Sequence, residues 1–435
     1  MLACPAVSQQ FVIQGGHALA GTVTPTGNKN AALPILAATL LTDEEVILEN
    51  VPDILDVHAM LAILDDLGVA VREEPDGALA FRAADVRSPV LDPELCKRIR
   101  ASVLFAGPLL ARAGAVTLPL PGGDFIGRRR IDTHLMAFRA LGADVDEAGR
   151  SYRMWHDGLA GAEIFLDEAS VTATENVLMA AVLARGRTTI LNAACEPHVQ
   201  DLAEFLVALG ARIDGIGTNR LVIDGVERLH GGRFRIGPDY IEIASFIGLA
   251  AITGSDLTIS EARPADLRMI LLGFGRLGIQ VDWVGETALR IPPEQSLEVV
   301  QDEGGAIPKI DDGPWPAFPA DLTSIATAVA TQARGEVMIF EKMFENRLFF
   351  VDKLVAMGAR IILCDPHRAV VSGPAPLYGE RVESPDIRAG MAMLIAGLAA
   401  SGTTTIGNIG PIDRGYERID ERLRAVGARI ERVDD

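Results

Sequence analysis

A short phrase that recurs six times along the 435-residue chain constrains its fold more than any other feature. Leucine or a similar residue, a short spacer, a hydrophobic residue and glycine lead into an alternating run in "LDDLGVAV", "FRALGADVD", "LVALGARID", "GFGRLGIQVD", "LVAMGARII" and "LRAVGARIE". The glycines are Gly68, Gly142, Gly210, Gly278, Gly358 and Gly427, at steps of 74, 68, 68, 80 and 69 residues. The pattern predicts an amphipathic helix that ends at a glycine in the left-handed conformation, with a strand leaving it. A second phrase, an Ala-rich helix end, glycine and a β-rich run, precedes most copies: "ARAGAVTL", "LARGRTTIL", "AITGSDLTIS", "QARGEVMIF" and "AASGTTTIG". One unit therefore reads helix, strand, helix, strand in about 70 residues.

A single unit of this kind cannot bury the apolar face of its own helices, so units must pack against one another. Six units divide naturally into three and three, and a chain of this length exceeds what one hydrophobic core usually serves. The expected class is α/β in two domains, with a cleft between them as the default ligand site.

Charge narrows the ligands. With 40 basic against 59 acidic residues the formal charge is −19, which opposes nucleic acid and anionic membranes. An anionic ligand then requires a local basic pocket. Cys4, Cys96, Cys195 and Cys364 form no C-x-x-C pair, so neither a zinc site nor a disulfide framework is suggested. The opening "MLACPAVSQQFVIQGG" has no basic or apolar leader region, and apolar runs such as "AALPILAATLL" are too short to span a bilayer; a soluble, cytoplasmic protein is expected.

Basic residues do cluster. "LPGGDFIGRRRID" sets Asp124 and Arg128, Arg129 and Arg130 on a Gly-rich loop, where guanidinium forks can match phosphate or carboxylate oxygens. A solvated charge run is the plainer alternative. In "TPTGNKNAALP", Lys29 stands just before an apolar helix, where free N–H groups favour anions; the alternative is an ordinary exposed lysine. "CKRIRASVLFAGPLL" carries Lys97, Arg98 and Arg100. Pairing with Asp92 and Glu94 accounts for the first two, leaving Arg100 as the functional candidate. Asp321, before another apolar helix, reads equally as a helix cap. Arg347, Arg388 and Arg414 occupy turns of three successive repeats and suggest one wall of an anion site, with Asp386 and Asp413 beside them.

Together "GNKNAALP", "RASVLFAGPL", "LPGGDFIG", "SVTATEN", "MFENR", "DIRAG" and "IDRGYERI" closely resemble the enolpyruvyl transferases, over essentially the whole chain. Within that family the likeness is to the branch acting on UDP-N-acetylglucosamine. The shikimate-pathway branch is less similar, because its Ser-Lys-Ser start has no counterpart. The resemblance implies a two-domain inside-out α/β barrel, three units per domain, helices buried and sheets outside. One domain would span residues 29–236, the other 1–28 plus 237–435, with the active site in the cleft.

The implied reaction moves the enolpyruvyl group of phosphoenolpyruvate to the 3-hydroxyl of the sugar nucleotide and releases phosphate, with no metal or organic cofactor. By the same resemblance Lys29, Arg129 and Arg414 match phosphoenolpyruvate phosphate ligands, and Arg100, Arg347, Asp386 and Arg388 further cleft positions. Asp321 matches the acceptor of the sugar hydroxyl's proton. Asn30, Arg100, Asp132, Ser170, Val171, Thr172, Asp321, Phe344 and Arg347 match sugar-nucleotide positions. Asp124 stands where many members have a cysteine on a mobile loop, the general acid that fosfomycin alkylates; a carboxylate there implies fosfomycin resistance.

The chain departs from the family pattern at Arg130, usually proline, at Glu168, a lysine in some members, and at Thr172, usually glycine. These departures point to a second reading, an enolpyruvyl transferase with another acceptor such as UMP. A third reading is a silent sugar-nucleotide-binding paralogue, against which the retention of Lys29, Asp124, Asp321, Arg388 and Arg414 argues. The oligomeric state is not legible.

Overall fold

The computed structural model describes residues 9–123, 126–127 and 129–434. The expectations placed on Asp124 and Arg128 lie outside the described residues.

Each recurrent glycine stops a helix in the left-handed region, with φ of +91° at Gly68, +94° at Gly142, +102° at Gly210, +80° at Gly278, +105° at Gly358 and +101° at Gly427. The helices they end include Leu55–Asp66, Asp132–Ala140, Pro197–Ala208 and Pro264–Gly275. What leaves each of the first five glycines is an antiparallel hairpin, not the single strand expected. After Gly68 the strands are Ala70–Glu73 and Leu79–Arg82, with Val71 opposite Phe81. The turn between them, "EPDG", has the residues that reverse a chain tightly.

Six sheets among the described residues repeat one order. A central strand follows the Ala-rich helix, an entry strand or bridge lies parallel to it, and the hairpin is antiparallel on its other side. In one, Arg187–Leu191 pairs in parallel with Glu163–Phe165 and antiparallel with Arg220–Asp224, with Ile190 opposite Ile164 and Leu221. In the last, Gln9–Gln14 from the start of the chain supplies the return strand, with Phe11 opposite both Ile406 and Arg432. The chain thus closes its sixth sheet with its own first strand.

The molecule divides into two units, Met1–Thr26, Phe125–Arg128 and Pro238–Asp435 in one, and Gly27–Asp124 and Arg129–Gly237 in the other. Each has three sheets and its own core. The core helices are Lys29–Ala38, Ala106–Ala113 and Val171–Ala181 in one unit, and Tyr240–Thr253, Thr323–Ala330 and Ile387–Ala399 in the other. All eight residues of Thr323–Ala330 are buried, the hydroxyl-bearing Thr323, Ser324 and Thr327 among them. The sheets show the complementary sign: burial alternates along Arg368–Gly373, with Ala369 and Val371 inward. Each wholly buried Leu, Ile or Phe contributes ~1.5–3 kcal/mol. Helices inside and sheets outside agree with the expected architecture, although the sheets remain separate and close into no single barrel. No described helix is long and apolar enough to cross a membrane.

Candidate active site

The buried helices begin where the candidate residues lie. In the Gly27–Gly237 unit, Asn28 caps the first core helix by accepting from the Ala31 N–H, which leaves Lys29 at its first turn. Lys29 is only 6% exposed and its Nζ lies 2.7 Å from the Asp56 carboxylate, so it is not the ordinary exposed lysine of the plainer reading. Asn30 is half-buried beside it.

Arg100 opens the 3₁₀ turn Arg100–Phe105 that leads into the next core helix. Its guanidinium donates to the Arg129 carbonyl at 2.6 Å and to the Arg130 carbonyl at 3.3 Å. Burial, reinforced by the Arg129 charge, pushes its pKa down to about 10, and among the described residues no carboxylate neutralises it. A cation held in this way gains most from an anionic ligand. Lys97, by contrast, pairs with Glu94 in solvent, as the pairing reading expected, whereas Asp92 caps the short helix Pro93–Cys96 instead of pairing.

The arginine run does not act as one cluster. Arg129 is half-buried, whereas Arg130 turns to acids, donating to Asp132 at 2.8 Å and Asp167 at 3.3 Å. Asp132, at the start of helix Asp132–Ala140, is therefore already engaged by the residue that departs from the family pattern. Ser170 caps Val171–Ala181 by accepting from the Ala173 N–H, and Val171 and Thr172 form the first turn.

In the other unit Asp321 draws two repeats together. One of its oxygens accepts from Arg347 Nη2 at 3.0 Å, and the other from Arg388 Nε and Nη2 at 3.1 and 2.9 Å. It does not cap the helix that follows it, which corrects the alternative reading. The arginine side chains are 4% and 5% exposed, while Asp321 keeps 28%. The acid is the accessible member of the triad. For Arg388, burial opposes the charge, but Asp321 and the other nearby groups outweigh it and raise its pKa.

Arg388 also donates to the Tyr416 hydroxyl at 3.2 Å, and that hydroxyl lies 3.1 Å from Ser245 Oγ. Tyr416 follows Arg414 by two residues, so the third Arg-bearing turn is tied to Arg388 through it. Arg414 itself is half-buried at the end of helix Gly410–Asp413. Asp413 pairs with Arg432, and Asp386 caps Ile387–Ala399 through the Arg388 and Ala389 N–H groups. Both acids are thus bound structurally. Arg347 packs over the Phe344 ring at 5.1 Å.

Residues 13–423 match the family model of EPSP synthase (3-phosphoshikimate 1-carboxyvinyltransferase). The chain is 56% identical to UDP-N-acetylglucosamine 1-carboxyvinyltransferase from Bradyrhizobium diazoefficiens, covering 98% of each, and 53% identical to that of Treponema denticola, covering 97% of this chain and 99% of the relative. It belongs to the enolpyruvyl transferase family. Among solved structures, the enolpyruvyl transferase NikO from Streptomyces tendae matches with a TM-score of 0.86 at 24% identity, over 99% of this chain and all of that one. EPSP synthase from Acinetobacter baumannii matches with a TM-score of 0.75 at 19% identity, over 98% of this chain and 100% of that one. At those identities the likeness is one of fold.

Membership in the enolpyruvyl transferases directs attention to residues that sequence reading missed. Asp56, the partner of Lys29, carries no motif, since its role arises only when two helices pack. Glu341 is wholly buried; its Oε1 accepts from the Phe344 N–H at 3.1 Å and its Oε2 lies 3.8 Å from Arg347 Nε. Burial pushes its pKa up to about 8; Arg347 opposes the shift and Asp312 adds to it. Glu341 thus supports both Phe344 and Arg347 from beneath. No sequence signal distinguishes it from an ordinary strand-end glutamate.

Proposed function

We propose that this chain transfers the enolpyruvyl group of phosphoenolpyruvate to the 3-hydroxyl of UDP-N-acetylglucosamine, releasing phosphate, the first committed step of peptidoglycan synthesis in the cytoplasm. The observation that carries this reading is the full-length identity to relatives of that name, 56% and 53%. The Asp321 triad and the uncompensated Arg100 supply chemistry that suits it.

In this reading Asp321 takes the hydroxyl proton as the sugar oxygen attacks C2 of phosphoenolpyruvate. Asp124 delivers a proton to the methylene carbon, which completes the addition. Loss of a proton from that carbon then breaks the bond from C2 to the phosphate oxygen, and phosphate leaves with the proton it requires. Lys29, Arg100, Arg129, Arg388 and Arg414 hold the phosphate and carboxylate, where fixed positive charge is most effective away from water. Asn30, Asp132, Ser170 to Thr172, Phe344 and Arg347 receive the nucleotide sugar.

A carboxylate oxygen accepts more than one hydrogen bond, so Asp321 can take the hydroxyl proton with Arg347 and Arg388 still in place. Phosphate release from phosphoenolpyruvate tests the reading, with UDP-N-acetylglucosamine, UMP and shikimate 3-phosphate offered separately. Release with the sugar nucleotide alone is expected; release only with another acceptor, or with none, would refute it.

A further inference from the structure

Three segments of the Gly27–Gly237 unit, beginning at Arg100, Asp132 and Val171, converge on one buried amide. Asn176 is wholly buried on the helix Val171–Ala181. Its neighbours dictate its orientation. The Gly107 N–H can only donate, and lies 2.7 Å from Oδ1; the Val103 carbonyl can only accept, and lies 2.9 Å from Nδ2. The second hydrogen on Nδ2 then points at His134 Nδ1, 3.0 Å away.

His134, 2% exposed on helix Asp132–Ala140, therefore receives a hydrogen bond at Nδ1 and carries its proton on Nε2. Nε2 stands 3.1 Å from Thr172 Oγ1, so the imidazole donates to the threonine. Burial and the nearby Arg100 charge push the His134 pKa down to about 3, which keeps the ring neutral and the proton order intact. Thr172 accepts with its oxygen, and its own hydroxyl proton has no acceptor among the described residues. The side chain is half-exposed at the mouth of the helix.

We infer that Asn176 and His134 form a proton-ordered relay that turns the Thr172 hydroxyl proton away from the imidazole and toward the bound nucleotide, making Thr172 a specificity-determining donor to an acceptor atom there. This rests on the reading that the nucleotide lies against Asp132 and Ser170 to Thr172. His134 and Asn176 are positioning residues in this account. A phosphate oxygen and a pyrimidine carbonyl share the required acceptor chemistry.

Two measurements decide it. Calorimetry of UDP-N-acetylglucosamine, UDP and uridine binding compares wild type with Thr172→Val, which keeps the shape and removes the hydroxyl, and with Thr172→Ser, which restores it. Valine is expected to weaken sugar-nucleotide binding on the order of tenfold, the worth of one hydrogen bond, and serine to recover most of that. A loss shared by UDP and uridine assigns the acceptor to the base or ribose, and a loss confined to the phosphorylated ligands assigns a phosphate oxygen; either supports the relay. Unchanged binding in Thr172→Val overturns it.

Nitrogen NMR of the ligand-free protein reads the tautomer independently. The proton is expected on His134 Nε2, with no protonation through the ordinary histidine range, and a proton on Nδ1 overturns the inference. Wild-type protein that binds no uridine nucleotide would instead overturn the functional reading, with the tautomer still judging the relay by itself.

Discussion

Replacing Asp321 by asparagine separates charge from shape where it meets Arg347 and Arg388. The aspartate accepts from Arg347 on one oxygen and from Arg388, twice, on the other. Asparagine can keep one of these sides; on the other its NH₂ meets a guanidinium, donor against donor. Removing one partner of a buried ion pair costs about 3–5 kcal/mol. Asp321 retains 28% exposure, so water screens part of the loss and about 2–3 kcal/mol is expected. At roughly 2–4 °C per kcal/mol for a unit of this size, the melting midpoint should fall by about 4–12 °C. Loss of a positioned proton acceptor should lower kcat by about 10²–10⁴-fold. Phosphate release, measured well below the lowered melting midpoint, separates the two effects. An Asp321→Asn enzyme that melts early yet turns over within a few-fold of wild type would refute the assignment and leave Asp321 as a counter-ion to two arginines.

Three other outcomes are expected. Lys29→Met removes the ammonium 2.7 Å from the buried Asp56 and should destabilise the protein by up to about 3–5 kcal/mol in denaturant unfolding; adding Asp56→Asn should recover much of the stability but none of the activity. For Glu341, the folded pKa of about 8 lies above its ordinary 4.5, so the protonated form is favoured in the folded state. Its contribution to stability is full below about 4.5 and is lost as pH rises toward about 8, so the stability of wild type relative to Glu341→Gln should decline across that window; a flat difference would count against it. Asp124→Cys should render the enzyme open to time-dependent labelling by fosfomycin at that position, whereas labelling of the wild-type aspartate would contradict the resistance expected from a poorer nucleophile.

The repeat glycines were the most legible part of the fold, because a left-handed helix end is a local requirement that few residues other than glycine meet. Gly278 shows how strict that can be: an added Cβ would come within 2.4 Å of the Glu298 backbone nitrogen, in a conformation already at φ +80°. The hairpins were half legible, since the strand after the glycine belongs to the recurring phrase but the turn and the return strand do not. In the candidate site, Lys29, Arg100 and Asp321 could be named from motifs, but not what holds them. The burial of Lys29 depends on Asp56, Asp321 finds its arginines 26 and 67 positions further along the chain, and the Arg130 side chain leaves its neighbours for Asp132 and Asp167. Such partners are chosen by helix packing and carry no pattern of their own. His134 and Asn176 belong to the same class, as neither spacing nor residue type sets them apart.

The central claim concerns what becomes of the sugar nucleotide. Wild-type protein incubated with phosphoenolpyruvate and UDP-N-acetylglucosamine, followed by mass and proton NMR analysis of the nucleotide product, tests it most directly. The account predicts UDP-N-acetylglucosamine heavier by one enolpyruvyl group, ether-linked at the 3-oxygen, with phosphate formed in equal amount. Unmodified sugar nucleotide, or an enolpyruvyl group on another oxygen, would contradict it.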